Sequence, residues 1–203
     1  MYKATEGSVY LNGKKINGLK PHQITRLGFA RTFQNIRLFG KMTVLENVQM
    51  GMCCRAKASL FDDILNTKKK TAERKAQEAR AEELLEIMAL ADKKYEAPKS
   101  LPYGEQRRLE IARAMATEPN ILLLDEPAAG MNEQETSELL STVQRLRKMG
   151  YTIILIEHDM KFVMNVCDRI YVLNHGELIA TGTPEEIQKN EAVIEAYLGK
   201  EED

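Results

Sequence analysis

At 203 residues, 43% of them hydrophobic and 29% charged, the chain is long enough to bury a core and has neither a disordered nor a membrane-spanning composition. Lys and Arg number 29 against 30 Asp and Glu, and the formal net charge of -1 excludes a whole-molecule field drawing the chain to nucleic acid or anionic lipid. Of three cysteines, Cys53 and Cys54 are adjacent and Cys167 stands apart; they make no CxxC pair and no disulfide framework, which suits a reducing cytoplasm. No apolar run approaches the roughly 20 residues that span a bilayer, and the first residues lack a signal-peptide core.

Val9-Tyr10-Leu11, Asn12-Gly13 and Lys14-Lys15-Ile16 predict a hairpin, because Asn-Gly supplies the positive φ angles of a type I′ turn. Pro21 to Leu27 predicts a short helix. Phe29 to Phe33 predicts a buried strand entering a polar loop at Gln34-Asn35. From Thr43 to Gly51 a helix follows, with Thr43 and Glu46 spaced as a capping box. Lys68 to Ala91 sets Ala72, Ala76, Ala79, Leu84, Leu85, Ile87 and Met88 on a helical period. Its opening Lys68-Lys69-Lys70 reads as a solvated face in preference to a nucleic-acid patch, since acids follow closely and no aromatics interleave.

After Pro102 strands and helices alternate. Leu109 to Ala116 reads as helix, Ile121 to Leu124 as a fully apolar strand, Glu133 to Met149 as an amphipathic helix and Thr152 to Ile156 as a second apolar strand. That is a parallel α/β core. Arg169 to Leu173, a turn at Asn174-His175-Gly176 and Glu177 to Ala180 predict another hairpin. Thr183-Pro184-Glu185-Glu186 then opens a helix with an N-cap, a first-turn proline and a glutamate at the third position.

Three segments carry chemistry. The first apolar strand delivers Asp125-Glu126 at its C-terminal end, where open α/β sheets bind ligands. Asp125 there suits Mg²⁺ and Glu126 suits orienting or deprotonating a water; two solvated acids at a strand exit would look the same in isolation. The second apolar strand ends in Glu157-His158-Asp159, and an imidazole there could donate to a phosphate or simply be structural. Leu101 to Arg113 sets a glycine, Gly104, just ahead of a helix, where free N–H groups and the helix dipole favour an anion, or where the glycine is a plain cap.

These residues together resemble the ATP-binding cassette ATPases. Leu101 to Arg113 is similar to the family's signature motif, Ile121 to Pro127 to its Walker B strand, Ala129-Gly130-Met131-Asn132 to its D-loop, Gln34 to its Q-loop glutamine and His158 to its switch histidine. The motifs stand in the family's order over essentially the whole chain. The wording of Ala30 to Phe39, Pro127 to Asn132, Ile156 to Met160 and Ile194 to Gly199 resembles one ATP-binding subunit of bacterial branched-chain amino-acid importers, with a urea-importer subunit as the nearest rival.

The resemblance implies a P-loop NTPase-like parallel sheet with an antiparallel β part and an inserted helical subdomain. It divides the chain into a β part with the Q-loop (1–42), a helical subdomain (43–100), the signature helix and ATPase core (101–182) and a helical tail (183–203). It implies ATP and Mg²⁺ as cofactors: Asp125 and Gln34 at the metal, Glu126 on the hydrolytic water and His158 on the γ-phosphate. Tyr103, Gly104, Glu105 and Asn132 would meet nucleotide across a head-to-tail pair of cassettes. The implied partners are a second cassette, permease subunits reaching the helical subdomain by a coupling helix and, indirectly, a periplasmic or extracellular solute-binding protein, with no nucleic acid. The implied place is the cytoplasm, peripheral on the inner face of the plasma membrane.

Three departures stand out. Pro102 replaces the signature's usual serine and Glu105 its closing glutamine. The chain also contains no G-x-x-x-x-G-K-S/T, the pattern whose backbone amides and lysine cradle phosphates. The family places that loop, with a central strand and helix, before the segment matching Gly7 to Leu19. The expectation is an N-terminally incomplete ATPase subunit that binds ATP weakly and hydrolyses it poorly alone; a non-catalytic docking or regulatory fragment is the alternative.

Overall fold

The computed structural model describes residues 4–54 and 68–197. The side chains of Lys68, Lys69 and Lys70, together with Leu198 and Gly199, lie outside the described ones. Backbone contacts divide the chain into two units, 1–156 and 157–203.

The first unit opens with the hairpin of β1 (Tyr10–Leu11) and β2 (Lys14–Lys15). Asn12 (φ 49°) and Gly13 (φ 76°) both take left-handed backbone, the reason the turn is Asn-Gly. After α1 (Pro21–Arg26), β3 (Phe29–Arg31), β4 (Ile121–Asp125) and β5 (Thr152–Ile156) form a parallel sheet in that order. The register sets Arg31 against Leu123 and Asp125 against Ile156, so β4 and β5 end level. Side chains alternate across the sheet. Ala30, Leu122 and Leu124 are buried on one face, while Ile154 and Ile156 on the other are 42% and 47% exposed.

Helices form the rest of this unit. α2 (Val44–Met52) carries the expected Thr43–Glu46 capping box, and α4 (Tyr103–Met115) packs against both α2 and β3. Between them, α3 (Lys68–Ile87) buries Ala81, Leu84 and Leu85 completely, with Met88 buried just past its end, but leaves Ala72, Ala76 and Ala79 exposed. The helical period expected from Ala72 onward therefore becomes a core stripe only in the last turns, where the residues are large enough to fill space; alanine's methyl is too small to enforce burial. Two 3₁₀ turns, Ala91–Lys93 and Pro98–Ser100, lead into α4, and α5 (Glu133–Lys148) joins β4 to β5.

In the second unit, α6 (Met160–Val166) is capped by Asp159, whose carboxylate accepts from the Phe162 N–H at 3.1 Å. β6 (Ile170–Asn174) and β7 (Glu177–Gly182) pair antiparallel around a turn at His175 and Gly176, with a register shift between Val172 and Leu173. α7 (Pro184–Gln188) starts with the expected Thr183 cap and Glu186, and α8 (Glu191–Tyr197) places the Tyr197 hydroxyl 2.8 Å from the Leu173 carbonyl oxygen to which it donates.

Candidate functional site

The end of β4 is built by its neighbour β3. Past Arg31 the chain stays in register for one more residue: the Thr32 N–H donates to the Leu123 carbonyl at 2.9 Å, and the buried Thr32 hydroxyl accepts from the Asp125 N–H at 3.4 Å. Asp125 is thereby fixed at the strand's C-terminal rim. Glu126 then leaves the strand with φ 43°, a left-handed backbone rarely adopted by a residue with a side chain. Its N–H donates to the Ile156 carbonyl at 2.9 Å and its carbonyl accepts from the Ala129 N–H at 3.2 Å, which hold this turn. Pro127 disfavours a helical conformation at Glu126, so the chain turns outward here.

Two side chains from the Q-loop strand meet these acids. Gln34 Nε2 donates to Glu126 Oε2 at 2.5 Å, and Arg31 Nη2 donates to Asp125 Oδ2 at 2.6 Å. Asp125 is largely covered and Arg31 half exposed. Gln34, Asp125 and Glu126, which the sequence placed in one site, are thus brought together, and Arg31 joins them unannounced by any motif.

The signature segment differs from its sequence reading in one respect. Helix α4 begins at Tyr103 and not near Leu109, so Gly104 lies in its first turn and not in a loop ahead of it. Pro102 supplies the extended residue before the helix, with φ -52° and ψ 157° and no side-chain cap. The missing cap is replaced in space: the Gly104 N–H donates to Glu135 Oε1 at 2.9 Å. Glu135 Oε2 accepts the Asn132 N–H at 3.2 Å, while Asn132 Oδ1 accepts the Glu135 N–H at 2.9 Å. One carboxylate thus serves the N-termini of α4 and α5, and Asn132 works as a helix cap. A Cβ at Gly104 would sit 3.0 Å from the Glu135 side chain, so this close approach favours glycine.

Tyr103 is partly exposed and borders the D-loop: a Cβ on Gly130 would lie 3.7 Å from its ring. Glu105 turns back on its own subdomain, where Lys93 Nζ is 2.6 Å from both carboxylate oxygens. This partner accounts for a charge at a position where the resembled motif carries an amide, and the hydrogen bond to Glu105 raises the Lys93 pKa. His158 belongs to the second unit, is exposed, and has Nδ1 4.0 Å from Glu157 Oε2.

Arg107 is fully buried. Its Nη1 donates to the Phe33 carbonyl at 2.6 Å and to Glu110 Oε2 at 3.0 Å; its Nη2 donates to the Gln34 carbonyl at 2.7 Å and the Tyr103 hydroxyl at 3.3 Å. Burial pushes the Glu110 pKa up, against the opposing pull of Arg107. Sequence reasoning missed Arg31, Arg107, Glu135 and Lys93. A charged residue on a helix reads as surface unless its tertiary partner is known, and only the run Arg107-Arg108-Leu109-Glu110 hinted at paired charges.

Among the described residues no group of three His, Cys, Asp or Glu side chains forms an all-protein metal site. The donor chemistry at β4 nevertheless fits Mg²⁺, because the Asp125 carboxylate and the Gln34 side-chain amide oxygen are hard donors and Mg²⁺ commonly takes one or two carboxylates, completing its shell with water and phosphate. Among the described residues no helix is long and apolar enough to cross a membrane.

A parallel sheet whose central strand ends in paired carboxylates, met by a glutamine loop and flanked by a glycine-bearing helix, defines a nucleotide-hydrolase core. The ABC transporter family profile matches residues 1–129, and the chain belongs to that family of ATPases. Residues 177–203 also match the profile described as branched-chain amino acid ATP-binding cassette transporter. The chain is 49% identical over 203 residues to the high-affinity branched-chain amino acid transport ATP-binding protein LivG of Salmonella typhimurium, covering 98% of this chain and 78% of that protein. Among solved structures, it resembles the ADP conformation of MJ1267, an ATP-binding cassette of an ABC transporter, with TM-score 0.79 and 29% identity over 98% of this chain and 79% of that one. It also resembles MJ0796, a dimeric post-hydrolysis cassette bound to ADP and Pi, with TM-score 0.71 and 26% identity over 90% of this chain and 75% of that one.

Proposed function

We propose that the chain is the ATP-binding and hydrolysing subunit of an importer for branched-chain or other hydrophobic amino acids. The observation that carries the reading is the 2.5 Å contact of Gln34 with Glu126 at the end of β4, beside Asp125. Family membership and the LivG likeness set the transport context.

In this reading Glu126 orients and deprotonates the attacking water, and Gln34 holds the Glu126 carboxylate in place until nucleotide arrives. Asp125 and Gln34 would hold Mg²⁺, exchanging the Arg31 contact for the ion. Bound there, Mg²⁺ supplies charge neutralisation on the phosphates of ATP. By its resemblance to the family's switch histidine, His158 donates to the γ-phosphate. Tyr103 and Gly104 present the start of α4 to nucleotide on a second cassette in a head-to-tail pair, with Glu105 anchored to Lys93 behind them and Asn132 setting the D-loop through its cap. Permease subunits engage the helical subdomain by a coupling helix, which holds the chain at the inner face of the plasma membrane, and the solute-binding protein acts through them. No nucleic-acid partner is invoked.

Because G-x-x-x-x-G-K-S/T is absent from the 203 residues, the chain alone turns ATP over weakly. The test places a strand-loop-helix segment with that pattern ahead of residue 1 and assembles the product with branched-chain permease and binding protein in proteoliposomes. Expected are ATP turnover and leucine uptake, both cut at least about 100-fold by Glu126→Gln, as removal of a group acting in the transition state requires. ATP turnover without leucine uptake would reject the solute class. Turnover indifferent to Glu126→Gln would reject the site.

A further inference from the structure

Arg107 is an expensive way to fill a core. Its guanidinium is wholly inside the protein, its Nε has no hydrogen-bond partner, and its ion-pair partner Glu110 is 1% exposed. Buried ion pairs of this kind are frequently replaceable by apolar side chains without loss of stability. What an apolar residue could not do is hold the carbonyls of Phe33 and Gln34 and the hydroxyl of Tyr103 at once.

These three contacts connect two surfaces with different work. On one side is the Q-loop backbone, whose Gln34 side chain reaches Glu126; on the other is Tyr103, partly exposed on the first turn of α4. Glu110 stiffens the junction, because its Oε1 also accepts the Arg37 N–H at 3.3 Å and lies 3.7 Å from Arg113 Nη2. The planar fork of arginine suits this task, presenting donors in two directions from a fixed plane.

We propose that Arg107 is a positioning residue that couples the state of the Gln34–Glu126 contact to the placement of Tyr103, so that the hydrolytic site of this chain reports to the surface that completes the site of a second cassette. The inference rests on the site assignment made under Proposed function, and the contact chain itself can be tested without nucleotide. A second route exists, since Tyr103 also borders Gly130, four residues along the backbone from Glu126. The experiment must separate the two.

The 203-residue chain is prepared with 3-fluorotyrosine at position 103 alone, and its ¹⁹F spectrum is recorded with and without Glu126→Gln. The substitution is expected to displace the Tyr103 resonance. In an Arg107→Lys background, where one ammonium cannot span both carbonyls and the phenol, the displacement is expected to be at least halved while circular dichroism and the melting temperature show a folded chain. Tyr103→Phe, which deletes only the hydroxyl of a partly exposed ring, supplies the reverse reading: it is expected to move the Gln34 side-chain amide in a ¹⁵N spectrum. An undiminished displacement in Arg107→Lys would overturn the proposal in favour of the Gly130 route. Should Arg107→Lys not fold, an unmoved Gln34 amide in Tyr103→Phe would overturn it equally. Either result leaves the Glu126 test of hydrolysis standing, so failure of the coupling and failure of the site assignment are distinguishable.

Discussion

Glu126, the proposed catalytic base, sits at a strained point of the backbone. Its φ of 43° puts a residue with a Cβ where glycine is most at ease. Strained backbone of this kind typically costs about 1–3 kcal/mol and persists where surrounding contacts over-determine it, here the bonds to Ile156 and Ala129. The expected consequence is an inversion of the usual ranking: Glu126→Gly should be more stable than Glu126→Ala by about 1 kcal/mol in urea unfolding, whereas glycine at ordinary positions is the poorer residue. Equal stabilities, or alanine ahead, would show that the turn relaxes at no cost. The carboxylates themselves were legible as Asp125-Glu126 after an apolar strand, and Gln34 through its resemblance to a motif. Arg31 and Glu135 were not, because each is defined by a partner 94 or 31 residues away in sequence, and charge alone names no partner.

Between elements, the tightest join is that of α2 with α4. A Cβ added at Gly51 would lie 2.2 Å from the Arg113 carbonyl oxygen and 2.8 Å from the Ala116 methyl, distances that neither backbone nor a short side chain can yield to. Gly51→Ala should therefore force the helices apart and lower stability by about 1–3 kcal/mol, although alanine is the better helix former; a stabilised variant would mean that the helices are looser than this. The join of α4 with α5 carries a pH signature. Arg108 Nη1 donates to Glu138 Oε2 at 2.6 Å and Gln134 donates to Oε1 at 3.3 Å, which holds the Glu138 carboxyl below its ordinary value of about 4.3. A depressed carboxyl pKa means that folding favours the ionised form, so the contribution is complete above the unfolded value and fades as pH falls through the folded one. Arg108 is largely covered but Glu138 is half exposed, and solvent at the carboxylate keeps the pair to less than about 1 kcal/mol. Glu138→Gln should cost that much in denaturant unfolding at pH 7 and progressively less as the pH falls below the ordinary carboxyl value; a penalty constant with pH would assign it to packing. Helix existence here was legible from capping boxes and apolar spacing. The extent of burial along α3 and the start of α4 at Tyr103 were not, since both depend on which neighbour arrives.

For the molecule as a whole, the three parallel strands pose the largest question of stability. Parallel sheets normally have both faces covered, yet Ile154 and Ile156 stand 42% and 47% exposed on β5, an edge strand of its sheet. The apolar runs Ile121 to Leu124 and Thr152 to Ile156 read as fully buried strands because periodicity reports what a strand is built to face, and one such face is open in this fold. An edge of this composition invites a partner strand or a covering layer. The 203-residue chain should accordingly bind 8-anilinonaphthalene-1-sulfonate and sediment as a concentration-dependent mixture. Ile154→Thr with Ile156→Thr should reduce both signals, because threonine keeps the β propensity of the strand while removing apolar surface. Placing a strand and helix with the phosphate-loop pattern ahead of residue 1 should reduce them too if that segment is what the sheet is built to receive. Dye binding unchanged by the threonines would locate the association elsewhere. Loss with the threonines and persistence with the added segment would mean that the open face serves a contact with another polypeptide.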